Sequence, residues 1–89
     1  MTMEFHITIQ GKGGHGSRPD LSYNPVDCFA AVYGGLQTIG CTVTDVDGGT
    51  ANNIIPEMLT FTCACENPEA MQQLLVHTCA AYNCTVTIQ

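Results

Sequence analysis

The dipeptide Asn-Pro occurs twice, at Asn24-Pro25 and Asn67-Pro68, and each copy opens an apolar stretch with helical spacing. Asparagine at an N-cap accepts an otherwise orphaned backbone N–H, and proline at the first helical position arrives with φ already helical. An acid follows each pair, Asp27 and Glu69, in the first turn where the helix dipole favours negative charge. The chain therefore divides into two matching halves, each with a strand before its helix and a strand after it.

In the first half, Phe5, Ile7 and Ile9 alternate with Glu4, His6, Thr8 and Gln10, which predicts a half-buried strand over residues 3–10. His6 falls on the wet face and reads as a surface residue. The helix that starts at Pro25 runs to about Ile39, with Val26, Phe29, Ala30, Tyr33 and Leu36 as its apolar stripe and Gly40 as its stop. Gly34 and Gly35 inside it each cost roughly 1 kcal/mol in propensity, so they mark close packing or a frayed end. Cys41 to Asp47 reads as a second strand with Val43 and Val46 as its apolar members, followed by a turn over residues 47–53.

Ile54-Ile55-Pro56 leads into a third strand, from about Glu57 to Cys65. Leu59, Phe61, Cys63 and Cys65 share one face of it, opposite Thr60, Thr62 and Ala64. The second helix buries Met71, Leu74, Leu75, Thr78, Cys79 and Tyr82, exposes His77, and takes Asn83 as a left-handed cap. Cys84, Val86 and Ile88 alternate with Thr85, Thr87 and Gln89 in a last strand. The order predicts an α+β, ferredoxin-like βαββαβ fold, a four-stranded antiparallel sheet with two helices on one face. A threonine-rich face is left for water or for a neighbouring domain. Because an open edge strand is a template for pairing, a homodimer through the sheet edge is expected.

Eighty-nine residues make a single domain, 1–89. Two basic residues against eight acidic ones give a net charge of −6, which argues against nucleic acid or an anionic membrane surface as partner. No apolar run approaches the ~20 residues that span a bilayer. The first residues lack the basic and apolar regions of a signal peptide, so a cytoplasmic setting is expected. Six cysteines form no C-x-x-C pair, which disfavours zinc knuckles and favours free thiols acting as small buried apolar groups. Cys79 and Cys84, flanking the end of the second helix, are the pair that could approach one another.

Polar chemistry concentrates between Gly11 and Pro19, which holds His15 and both basic residues, Lys12 and Arg18. A solvated glycine turn is one reading. A nucleotide loop is another, since Gly11, Gly13 and Gly16 match G-x-G-x-x-G, but Pro19 and Pro25 interrupt the helix that the fingerprint needs. The third is a loop that presents His15 to a partner's active site. No second histidine stands at metal-ligand spacing from His15, no carboxylate cluster accompanies it, and Ser17 has no base with an orienting group. The chain alone carries no self-sufficient catalytic constellation and no metal site.

The run from Phe5 to Asn24, with G-K-G-G-H-x-x-x-P at Gly11–Pro19, resembles the lid, or dimerisation, domain of the zinc-dependent amidohydrolases and peptidases. That family includes aminoacylase, hippurate hydrolase, carboxypeptidase G and succinyl-diaminopimelate desuccinylase. L-Q-T-I at Leu36–Ile39 and G-G-T-A-N-N-I-I-P-E at Gly48–Glu57 extend the resemblance in the same order, and the aminoacyl-amide hydrolase branch is the nearest pattern. The resemblance implies a βαββαβ domain, either excised from or a remnant of a larger zinc hydrolase, with zinc held by the parent's catalytic domain and none by this chain. It implies a homodimer in which His15 reaches the partner subunit's site and stabilises an oxyanion, while Asn53 helps hold substrate. A donor aimed at developing negative charge is a large catalytic term, and zinc supplies an activated water. Lys12 and Arg18 would add positive potential for the carboxylate of an N-acyl amino acid or peptide. Ala64 stands where the family usually has a substrate-binding arginine, and Gly40 leads directly into Cys41 where the family's connection is longer. Substrate recognition is therefore expected to differ or to be lost. A stand-alone ferredoxin-like binding or oligomerisation module without catalysis is the rival reading.

Overall fold

The computed structural model describes residues 2–11, 14–15, 24–48, 54–55 and 58–89, with the backbone alone for 14–15 and 54–55. Eight elements follow in order: β1 (Met3–Gln10), β2 (Gly14–His15), α1 (Pro25–Thr38), β3 (Thr42–Gly48), β4 (Ile54–Ile55), β5 (Met58–Cys65), α2 (Pro68–Ala81) and β6 (Thr85–Ile88). Four strands form one sheet in the order β3-β5-β1-β6, every pairing antiparallel. β2 and β4 form a second, two-stranded sheet. This is the α+β, ferredoxin-like arrangement that the repeated helix signature predicts.

The two halves match in detail. Asn24 Oδ1 accepts from the Val26 N–H at 2.9 Å, and Asn67 Oδ1 accepts from the Ala70 N–H at 3.2 Å. Each helix also stops in the same way. Gly40 (φ 83°) donates to Gln37 O and Cys41 to Leu36 O; Asn83 (φ 57°) donates to Ala80 O and Cys84 to Cys79 O. Both are Schellman stops, which need a left-handed residue one place before the chain turns away. A buried cysteine follows that residue each time, Cys41 and Cys84, and closes the turn against the core.

Register explains the core. Ile7 stands opposite Phe61 and Ile88, and Ile9 opposite Leu59 and Val86, so one face of the sheet is apolar across three strands. Cys28, Val32 and Leu36 from α1, and Met71, Leu75 and Cys79 from α2, close over that face. Phe29 tilts against Phe61 with ring centroids 5.0 Å apart. Within the helix layer, a Cβ at Gly35 would lie 2.9 Å from Leu74 Cδ2, whereas one at Gly34 would meet nothing. Gly35 thus marks close packing between the helices, which decides between the two readings of the glycine pair. No described helix is long and apolar enough to cross a membrane.

Four expectations need correction. The stripe of α1 that faces the core is Pro25, Cys28, Val32 and Leu36, with Phe29 beside it, while Val26, Ala30 and Tyr33 face outward. The helix is apolar on more than one side, and the thiol of Cys28 outranks the branched chain of Val26 for the interior. Tyr82 is exposed, because as the C-cap of α2 it has already left the helical stripe. Val46 is exposed too: the β3–β5 register shifts between Thr44 and Asp47, Asp45 turns to φ 54°, and the bulge throws Val46 out of the alternation. Thr62, on the supposedly wet face, is buried at 6% because β5 is an interior strand flanked by His6 and Thr44.

Candidate functional site

The β1–β5 pair runs to Gln10 opposite Met58, and the same two stretches of chain pair again farther out. There Gly14 stands opposite Ile55 and His15 opposite Ile54. The short β2–β4 ribbon is thus a separate two-stranded sheet that pairs the chain after β1 with the chain before β5. A backbone held by ladder hydrogen bonds fixes the position of His15 more closely than a free loop would. This ribbon joins the segment that carries the Gly-Lys-Gly-Gly-His block to the one that carries Gly-Gly-Thr-Ala-Asn-Asn. Asn53 precedes Ile54 in sequence, and Ile54 is the residue that pairs with His15. Asn53, Lys12 and Arg18 themselves lie outside the described residues, as does most of the turn expected over 47–53.

Sequence reasoning treated residues 11–19 as a loop and Ile54-Ile55 as a lead-in to β5, so it missed this ribbon. The available signal was the β-branched Ile54-Ile55 pair, which favours a strand.

On the open face of the sheet, His6, Thr8, Asp45, Asp47, Thr60 and Thr62 line a shallow concavity of about 600 Å³. The β3 bulge brings Asp45 and Asp47 to its rim. Among the described residues, no group of three or more His, Cys, Asp or Glu side chains could hold a metal ion.

All six cysteines are free and buried, as their composition argument predicts. Loss of water pushes every thiol's pKa up, Cys28 to about 12 and Cys41 to about 11. A thiol held neutral in this way is a poor nucleophile and a poor metal ligand at neutral pH. The approach expected between Cys79 and Cys84 is not the tightest one: Cys28 Sγ donates to Cys79 Sγ at 3.2 Å. Cys84 Sγ instead lies 3.5 Å from the Tyr82 carbonyl.

Residues 1–82 match the family model described as a peptidase dimerisation domain. An N-acetyldiaminopimelate deacetylase from Bacillus pumilus is 33% identical over 86 residues, covering 82% of this chain and 23% of that protein. An N-acetylcysteine deacetylase from Bacillus subtilis is 33% identical over 64 residues, covering 60% of this chain and 17% of that protein. The chain thus spans less than a quarter of the length of either relative. In fold, it superimposes with a TM-score of 0.86 on part of an amidohydrolase/peptidase from Burkholderia cenocepacia. That match covers 99% of this chain and 27% of the other at 16% identity, and so concerns the fold alone.

Proposed function

This chain belongs to the peptidase dimerisation domain family, and from that premise we propose that it is the dimerisation and substrate-lid region of a zinc-dependent amidohydrolase or peptidase. Its parent hydrolyses the amide of an N-acyl amino acid or a peptide, and His15 acts in the partner subunit's active site. The β2–β4 ribbon is the observation that carries this reading. It tethers the histidine segment to the asparagine segment through the pairs Gly14–Ile55 and His15–Ile54. Two polar groups meant to grip one substrate need such a shared mount.

In this account the imidazole of His15 donates a hydrogen bond to the oxygen that becomes negative as the amide carbon turns tetrahedral. Asn53 orients the acyl amide, and Lys12 and Arg18 attract the substrate carboxylate. Lys12 and Arg18 are the only lysine and arginine of this chain, so within it a carboxylate substrate meets permanent positive charge nowhere else. The zinc ion, whose chemistry is to activate water, would be held by residues of the parent's catalytic domain. The substrate class has support from the two curated relatives, whose names describe deacetylation of an N-acetylated amino acid. A cytoplasmic setting suits six thiols that are all free.

The test uses the full-length parent with an N-acyl amino acid as substrate. His15→Ala should lower kcat about 10²–10³-fold with little change in KM, the pattern of a contact made in the transition state. A rise in KM at unchanged kcat would assign His15 to ground-state binding and overturn its oxyanion role.

A further inference from the structure

The helix layer holds a feature that the hydrolase reading does not use. Cys28 of α1 and Cys79 of α2 are 51 residues apart in sequence, yet their sulfurs lie 3.2 Å apart. Both side chains are sealed from water, at 0% and 1% exposure. Gly35 of α1 also packs close against Leu74 of α2, so the same two helices meet again farther along. We propose that hydroperoxides convert Cys28 and Cys79 into a reversible disulfide that staples α1 to α2.

The chemistry balances. When the helix layer opens locally, a peroxide oxidises one thiol to a sulfenic acid and leaves as water or an alcohol. On closing, the second sulfur attacks the first, the S–O bond breaks, and the hydroxyl departs as water with the remaining thiol proton. Two electrons pass from the two sulfurs to the O–O bond. The sulfurs must then move from 3.2 Å to about 2.05 Å, a shift that small side-chain rotations accommodate. A dithiol reverses the step by thiol–disulfide exchange. Burial makes the forward reaction slow and selective: a thiol exposed only in a transient opening meets its neighbour before a second peroxide.

The experiment treats the folded 89-residue chain with hydrogen peroxide and reads intact mass, then maps the peptides without reduction. The expected product has lost two hydrogens, carries a Cys28–Cys79 cross-linked peptide, and melts several degrees higher until a dithiol restores the original midpoint. Cys84→Ala should still form the staple, and Cys28→Ala should not. A bond from either sulfur to Cys84, oxygen addition without a cross-link, or no change in the folded chain would each overturn the proposal. The map of the unsubstituted chain decides the matter even if Cys28→Ala fails to fold.

Discussion

Cys28 has a thiol whose pKa rises from 9.0 to about 12, mainly because burial strips water from the charged form, and the other five thiols move the same way. Between pH 9.0 and about 12 the unfolded chain loses the Cys28 proton while the folded chain keeps it, and the other raised thiols act in the same direction. Folding stability is therefore complete below pH 9.0 and falls as pH rises through that window. Denaturant titrations under reducing conditions should show the midpoint dropping steadily above pH 9.0; a flat profile would mean that the thiols reach water. The helical glycines give a second residue-level prediction. Gly34→Ala should stabilise by about 0.5–1 kcal/mol, since it adds helix propensity in open space. Gly35→Val should destabilise by about 1–3 kcal/mol, because its side chain meets Leu74, and thermal melts of the two variants separate the cases.

At the scale of the element, the two halves use one cap and one stop each. Removing either Asn24 or Asn67 as Ala should cost about 1 kcal/mol, by similar amounts in chemical denaturation, because both caps satisfy a single N–H. These caps, and the left-handed stops at Gly40 and Asn83, were legible in sequence since their signals are local and chemical. The alternation of β1 and β5 was legible for the same reason. What was not legible depended on partners far away in the chain. The inward face of α1 is chosen by competition among several apolar sides, which periodicity over Val26, Ala30 and Tyr33 does not resolve. The β3 bulge is a matter of register against β5, and the β2–β4 ribbon of pairing across some forty residues. Of the candidate site, the residue types and their order were readable, whereas the ladder that joins them was not.

For the whole molecule, the sides of the fold differ in how they suit a second copy. α2 turns Glu69, Gln72, Gln73 and His77 outward around one exposed valine, Val76. α1 turns out Val26, Ala30 and Tyr33, and its one charged residue is Asp27. It packs beside the edge strand β3, whose first residues, Thr42–Thr44, pair regularly with β5 and carry no charge. Symmetric pairing through this side would bury the outward apolar face and pair an open edge together. Tyr33→Asp should then shift the chain from dimer towards monomer in sedimentation, whereas Gln73→Asp should not.

In the proposed dimer His15 serves the other subunit. Mixing two inactive forms of the full-length parent, one carrying His15→Ala and one disabled in its metal-binding residues, reads this out. Donation across the dimer leaves one intact site in each mixed dimer, and random mixing should restore about a quarter of wild-type activity. Donation within a subunit leaves every site defective, and a mixture as inactive as its components would contradict the account.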